Sequence, residues 1–432
     1  MDRLERAEAI GLRLDRNPRF RRNLLLIFRL DCRPNLAHLE NSLHRAGSIW
    51  QPLVSALRPY PCDVLTPQWV PDNDAPGRTR LASQGAPIGP MTESRLQTFA
   101  PTLVQPFDPQ APLWELREDP DPEGGGSSLL LKVHPLVAGN LDWLSQLLEP
   151  GREAEPGRHE ARLTTAEQTW FSDLSTAAIE EMGGHLGRLR QRLARAPAMA
   201  RAPRQTLEDF LEQLKAAASI FGGGRRLPDT RPGQAPFLAS LTFPWADIEE
   251  CARVTRSSPR EIVMTALAGS VAAQHPRSVS CGIEDADFPW VAHQILLTST
   301  SPDPRRRIRE LQTSLRRADV ENARTFLPEV AEVLDRLPQP LLEAAADEAF
   351  ASSDFRCDLQ PGLPVTAFLG GARIHGIRSF QTTRGHRLAA SLIRSLDELS
   401  IGLTIDSRAF PNPEPLVEEF QRQLRELLRL AG

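Results

Sequence analysis

The sequence predicts an α+β protein made of two similar halves, each a mixed sheet with helices. At 432 residues the chain is longer than one ordinary domain. Strand-like and helix-like segments alternate in both its first and its last part, and a Gly/Pro-rich stretch, Phe221–Pro236, separates them. We therefore expect an N-terminal domain over residues 1–182, a linker over 183–236 and a C-terminal domain over 237–432.

Local patterns define the elements of the first part. The segment RNLLLIFRLD (Arg22–Asp31) is apolar and short, which predicts a strand, and NLAHLENSLHRA (Asn35–Ala46) has the spacing of an amphipathic helix. The segment DPDPEGGGSS (Asp119–Ser128) is a predicted loop. A buried strand, LLLKV, follows and ends at His134.

The linker and the second half are predicted in the same way. We expect a helix over AEQTWFSDLSTAAIEEM (Ala166–Met182) and a basic amphipathic helix in the linker. A helix over Pro259–His275 is predicted with Ser258 as its N-cap. Hairpin-like strands follow, with a turn at Pro361-Gly362, and the chain ends in an amphipathic helix.

Composition excludes several classes of protein. Charged residues make up 25% of the chain with a net charge of −4, which argues against a nucleic-acid-binding protein. The sequence has no run of 18 apolar residues, so no membrane-spanning helix is predicted, and no secretory signal is apparent. The five cysteines include no CxxC pair, so neither a metal site nor a disulfide framework is predicted. We expect a cytoplasmic protein.

The sequence SLLLKVHPLVAGNLDWLSQLL (Ser128–Leu148) places His134 where a strand ends and a turn begins. Unperturbed histidine titrates near pH 6.5, which suits general base catalysis. A lone histidine at a strand end is more often structural, so the position alone does not assign a role.

An ordered set of motifs resembles the bacterial wax ester synthase/diacylglycerol acyltransferase family, part of the CoA-dependent acyltransferases marked by HHxxxDG. PLWE stands at Pro112–Glu115, HPLVAG at His134–Gly139 and GARI at Gly371–Ile374, and the C-terminal strand and helix also match. The resemblance implies two domains related by a pseudo-two-fold across a central cleft. It also implies transfer of an acyl group from CoA, without a covalent acyl-enzyme; GxSxG is absent.

Two registers of the core motif are open. Aligning KVH with the family's KVH makes His134 the first histidine and puts Pro135 in the catalytic position. Aligning HPLVAG with HALVDG makes His134 the catalytic histidine, with Val133 replacing the first and Gly139 retained. The second register matches more residues and is preferred. Ala138 replaces the family's aspartate, which the resemblance implies is a brace to an arginine.

Other positions that correspond to the family's motifs are either changed or retained in this chain. The family's ND falls at Arg260 and Glu261, where Glu261 is also explained as ordinary first-turn chemistry of a helix. Trp114, in PLWE, is a packing residue or a substrate contact, with packing favoured. Arg373 is placed near the domain interface, where it could pair with a carboxylate.

The basic stretch Arg188–Arg204 has two interpretations. It is a solvated helix face, or it attaches the protein peripherally to an anionic membrane or lipid-droplet surface, where each arginine is worth roughly 1 kcal/mol. The first of these is favoured.

Two functional hypotheses follow. The first is an O-acyltransferase that uses acyl-CoA as co-substrate, a long-chain alcohol, diacylglycerol or other hydroxyl acceptor, His134 as base and no other cofactor. The alternative is an inactive or repurposed family member that binds an acyl chain or a protein partner.

Overall fold

The computed structural model describes most of both halves of the chain. It describes residues 4–58, 66–71, 93–108, 111–120, 127–138, 148–150, 235–274, 279–284, 292–297, 301, 303–317, 331, 334–335, 337, 339–351, 353–363 and 366–431.

Two six-stranded sheets and a two-stranded ribbon contain the described strands. The strands are β1 Leu24–Leu30, β2 Ser55–Arg58, β3 Gln68–Pro71, β4 Trp114–Pro120, β5 Ser127–Val133, β6 Glu149–Pro150, β7 Phe237–Pro244, β8 Val279–Glu284, β9 Ala292–Leu297, β10 Phe355–Leu363, β11 Ala367–Leu369, β12 Ala372–Gln381, β13 Leu388–Ser395 and β14 Glu398–Ile405. The helices are α1 Arg6–Leu14, α2 Leu36–Ile49, α3 Glu93–Val104, α4 Pro135–Ala138, α5 Trp245–Thr255, α6 Pro259–Gln274, α7 Pro304–Arg317, α8 Gln339–Ala351 and α9 Glu414–Leu428, and a 3₁₀ turn covers Gln51–Val54.

The first sheet has the order β4-β5-β1-β12-β11-β6, and each of its described pairings is antiparallel. Both faces of β1 are covered. Leu24, Leu26 and Phe28 belong to the core on one face, whereas Leu25 and Ile27 pack with α3 on the other. This sheet is therefore fixed by burial on both sides, as a continuous apolar run predicts.

The second sheet has the order β7-β14-β13-β10-β8-β9 and is mixed. Strand β10 pairs in parallel with β13 and β8, and the remaining pairings are antiparallel. Helices α6 and α9 cover one face and share a core with strands β10, β13 and β14. The predicted α+β fold class is confirmed.

The second half of the chain contributes two strands to the first sheet, which a division of the chain into consecutive domains does not anticipate. Strands β11 and β12 lie within the predicted C-terminal domain but pair in the first sheet, where β12 lies beside β1. The chain then passes directly from β12 to β13 in the second sheet. The boundary between residues 182 and 237 therefore stays a prediction for the linker, but it does not separate the two sheets.

Local predictions agree with the structure in several places. β1 and α2 lie where strand and helix were expected, and Ser258 accepts a hydrogen bond from the Glu261 N–H at 3.2 Å as the N-cap of α6. Pro361-Gly362 was wrongly predicted as a turn: both residues lie in β10, where the pairing register with β13 shifts. The predictions for Ala166–Met182, for Arg188–Arg204 and for most of the linker fall outside the described residues.

Within the described residues, none of the helices has both the length and the apolar character needed to cross a membrane. The same part of the chain contains no group of three or more His, Cys, Asp and Glu side chains arranged to hold a metal ion.

Candidate active site

His134 joins β5 to the short helix α4 and caps that helix. Its carbonyl accepts hydrogen bonds from the N–H groups of Val137 and Ala138, each at 2.9 Å. Pro135 occupies the first helical position, where the missing N–H costs nothing. The sequence HPLVA therefore forms a tight strand-to-helix turn with the imidazole at its corner.

The hydrogen bonds of His134 define its tautomer. The Leu136 N–H donates to His134 Nδ1 at 3.1 Å, so Nδ1 carries a lone pair and no proton. In the neutral ring the proton is then on Nε2, which lies 2.6 Å from Asp15 Oδ2 and donates to it. Both ring nitrogens are thus engaged, and the imidazole is only 3% exposed.

Asp15 is bound on its other side by Arg22. The Arg22 guanidinium lies 3.2–3.4 Å from the carboxylate oxygens, and the Arg22 N–H donates to Oδ1 at 2.9 Å. The side chains of Arg22 and Asp15 are 2% and 9% exposed. Because one cation and one carboxylate are buried together, the Arg22–Asp15–His134 triad is neutral overall when the imidazole is neutral.

Burial and charge set the protonation of this triad. Burial acts to raise the pKa of Asp15, but the charge of Arg22 and the contacts with His134 outweigh it and hold that pKa at about 2. Burial lowers the pKa of His134, although Asp15 opposes the effect. The carboxylate is therefore ionised and the imidazole neutral near pH 7, and the main partner of Asp15 under these conditions is Arg22.

Phe107 and Lys132 complete the described surroundings of His134. The half-buried Phe107 ring meets the imidazole edge to face, with centroids 6.1 Å apart. Lys132 Nζ lies 4.1 Å from the centroid of the same ring and 3.6 Å from Glu115 Oε1.

Two predicted site residues, Val133 and Trp114, lie on the face of the first sheet that is opposite to Lys132 and His134. They are paired neighbours on β5 and β4, and both are buried in the apolar core of that face. Trp114 Nε1 donates to the carbonyl of Leu53 at 2.7 Å. In this structure Trp114 therefore packs in the core, and the Val133 side chain lies in the same core.

Ala138 is buried at the end of α4, at 4% exposure, in that same apolar core. The carboxylate that the family motif has at this position is supplied to the turn from elsewhere, because Asp15 reaches His134 from the end of α1. Gly139 lies outside the described residues.

Arg260 and Glu261 belong to the start of α6 and have local roles. The Glu261 carboxylate accepts from the Ser258 N–H at 2.7 Å, which completes a capping box with the Ser258 hydroxyl. Arg260 Nε donates to the Cys357 carbonyl at 2.7 Å, and its guanidinium lies 3.6 Å from Asp358. These contacts fasten α6 to β10.

Arg373 is at the far end of the first sheet from His134, and its place near a domain interface stays a prediction. Residue Leu24 of β1 pairs beside Val133, whereas Leu30 pairs with Ile374, so the two sites are about 20 Å apart along the strand. The Arg373 side chain is exposed, and its N–H donates to Asp31 at 2.9 Å. The Gly370-Gly371 turn beside it has positive φ at both residues, as a tight hairpin requires.

Sequence reasoning missed Asp15, Arg22 and Lys132. Asp15 and Arg22 lie in LDRNPRFRRN, which has no recognisable motif, and Asp15 is 119 positions from His134. For Lys132 a signal was available: a lysine inside the apolar run SLLLKV is unusual, since lysine is rarely buried without a partner.

Comparison with known proteins shows what the whole chain is similar to. Residues 291–428 match the model of the WS/DGAT C-terminal domain. Two Mycobacterium tuberculosis proteins, provisionally named diacylglycerol O-acyltransferases, are each 23% identical over 100% of this chain and 92% of their own length. The chain is thus similar, along its whole length, to proteins named for the wax ester synthase/diacylglycerol acyltransferase family.

Solved structures of this family and of its wider group share the fold. A wax ester synthase/diacylglycerol acyltransferase from Marinobacter aquaeolei covers 100% of both chains with a TM-score of 0.59 at 14% identity. The first condensation domain of the CDA synthetase covers 100% of this chain and 95% of its own, with a TM-score of 0.52 at 14% identity. These two structures show that the fold is shared, as the resemblance implies.

Proposed function

We propose that this chain transfers a fatty acyl group from acyl-CoA to a hydroxyl acceptor such as a long-chain alcohol or a diacylglycerol. The observation that carries the proposal is the buried hydrogen bond of 2.6 Å between Asp15 and His134 Nε2. A carboxylate that orients one nitrogen of an imidazole and leaves the other as the base is the arrangement used for acyl transfer on unrelated folds.

In the proposed mechanism His134 acts through Nδ1. Asp15 keeps the proton on Nε2 and stabilises the imidazolium that forms when Nδ1 accepts the proton of the alcohol. The alkoxide oxygen attacks the thioester carbonyl, the C–S bond breaks, and the proton passes from His134 to the thiolate of CoA. The Leu136 N–H must release Nδ1 before the alcohol can bind there, so the turn at α4 has to adjust on substrate binding.

The relatives support the choice of substrates. Diacylglycerol acyl transfer and wax ester synthesis are the activities in the names of the relatives, and we extend them to this chain as part of the proposal. Attachment of Arg188–Arg204 to a membrane or lipid-droplet surface remains the less favoured of the two interpretations of that stretch, which lies outside the described residues.

The second candidate function is a non-catalytic family member that binds an acyl chain or a protein partner. Its specific support is the cap that the Leu136 N–H makes on His134 Nδ1, together with the burial of the imidazole. In that case His134 is a structural residue that holds α4 against α1.

Release of CoA tests the proposal directly. Purified protein would be mixed with palmitoyl-CoA and either hexadecanol or dioleoylglycerol, and free thiol and ester would both be followed. We expect His134→Ala to reduce kcat by roughly 10²–10⁴-fold, the usual contribution of a general base. His375→Ala is the matched control, because His375 is exposed on β12 at the far end of the sheet.

The two candidate functions predict different results. Ester formation that requires His134 but not His375 supports catalysis. A folded wild-type protein that releases no CoA with any acceptor, yet still binds palmitoyl-CoA, supports the non-catalytic alternative. Full activity of His134→Ala would show that another group is the base.

A further inference from the structure

Lys132 is buried with its charge incompletely satisfied. Its side chain is only 1% exposed, and Nζ donates no hydrogen bond within the described part of the chain. The nearest carboxylate oxygen, Glu115 Oε1, is 3.6 Å away, which is beyond hydrogen-bond distance. An ammonium that donates no hydrogen bond within 3.5 Å and has its carboxylate partner at 3.6 Å is costly in a protein interior, so this group calls for an explanation.

Lys132 and His134 lie on the same side of β5. Side chains alternate along a strand, and Leu129, Leu131 and Val133 all enter the core on the opposite face. The two residues are therefore about 7 Å apart along one face. Both contact the Phe107 ring, which is itself half-buried.

The surroundings of Lys132 leave its ammonium protonated at neutral pH but bring its pKa close to neutrality. Burial lowers the pKa of Lys132 to about 8, while Glu115 opposes the shift and the charges of Arg21 and Arg117 add to it. The amine is thus protonated near pH 7 and loses its charge in mildly alkaline solution.

We propose that Lys132 is a catalytic residue whose ammonium binds the carbonyl oxygen of the acyl group as that oxygen becomes negatively charged. This inference rests on the acyl transfer proposed above. When the alcohol oxygen attacks the carbonyl carbon, the C=O electron pair moves onto oxygen, and a positive donor there stabilises the intermediate until the C–S bond breaks. The oxygen also supplies the acceptor that Lys132 lacks in the described structure.

The pH dependence of kcat distinguishes this role from a structural one. The wild type should lose activity as the pH rises through about 8, because the neutral amine no longer stabilises the oxyanion. Lys132→Met should reduce kcat by roughly 10²–10³-fold, as the loss of an oxyanion donor does elsewhere. Lys132→Arg should keep part of the rate and lose this alkaline decline, since a guanidinium stays protonated. Lys215→Arg, at the only other lysine in the sequence, is the control.

Glu115→Gln gives a signature that a packing role would not produce. Glu115 raises the pKa of Lys132, so its removal should move the alkaline decline to lower pH without removing it. Thermal melting of each variant shows whether it is folded.

A second measurement follows Lys132 without turnover. With only two lysines in the sequence, ¹³C-labelled lysine should give two NMR signals, which Lys132→Met assigns. We expect the Lys132 signal to titrate near pH 8 and to move when octanoyl-CoA, but not CoA alone, is added. A Lys132 signal that titrates above pH 10 and does not shift when octanoyl-CoA is added would overturn the inference.

The failure of this inference is distinct from that of the proposed function. Turnover by the wild type with an unchanged alkaline decline in Lys132→Arg overturns the role of Lys132 alone. A wild type without turnover overturns the acyl transfer and this inference together.

Discussion

At the scale of single residues, the site depends on Asp15, a carboxylate outside the sequence motif. Asp15 fixes the tautomer of His134 and neutralises Arg22, so one side chain links the end of α1 to the start of α4. The motif HPLVAG can therefore keep its shape without an aspartate at position 138.

The free energy of unfolding, measured against pH in the acid range, should reveal the contribution of Asp15 to stability. Its pKa is about 2 in the folded protein against 3.8 ordinarily, so its contribution is complete above pH 4 and is lost as the pH falls towards 2. The shift corresponds to roughly 2–3 kcal/mol. Asp15→Asn should be less stable than the wild type at pH 7 and approach it as the pH falls over that window. Urea unfolding at a series of pH values measures the difference, and a constant gap between the two proteins would contradict the assignment.

Particular residues show what could be predicted from the sequence at this scale. His134, the capping role of Ser258 and the packing role of Trp114 depend on neighbouring residues, and local patterns indicated each of them. The contact between Asp15 and His134 depends on how α1 packs against the end of β5, and no local pattern encodes it.

At the scale of elements, the turn from β5 into α4 is held by apolar contacts where the family motif has an aspartate. Val137 and Ala138 are buried, and the Val137 carbonyl accepts a hydrogen bond from Trp50 Nε1 at 2.8 Å. The turn thus has an apolar side against α2 and a polar side at His134.

Restoring the family's aspartate should therefore harm this turn. Ala138→Asp places a carboxylate in the apolar core, at a cost of several kcal/mol or a strongly raised pKa. Ala138→Asn is the matched control, because it adds nearly the same volume without charge. We expect Asp to be the less stable variant at pH 7, and the gap to narrow towards pH 4 as the carboxyl group becomes protonated. A gain in melting temperature or turnover for Ala138→Asp would contradict this prediction, because it would show that an arginine is placed to pair with the new carboxylate.

At the scale of the whole molecule, the two strands that the second half contributes to the first sheet make the two halves interdependent. β1 has β5 on one side and β12, from the second half of the sequence, on the other. The Asn23 N–H also donates to the Thr382 hydroxyl at 3.2 Å, immediately beyond the strand pair. Antiparallel pairing of such distant segments has no sequence signal of its own, which is why consecutive domains were predicted.

Separate expression of the two halves tests this interdependence. Residues 1–182 lack β12, so the apolar strand β1 would have an unpaired edge, and in residues 237–432 the edge of β12 that pairs with β1 would be unpaired as well. We expect each fragment alone to aggregate or to melt without a cooperative transition. Mixing or coexpressing them should give a 1:1 complex with cooperative unfolding, because the pairing of β1 with β12 needs no covalent connection. Circular dichroism melts and size-exclusion chromatography measure both properties. Two fragments that each fold cooperatively alone would show that the sheets are independent and that the consecutive domain boundary was correct.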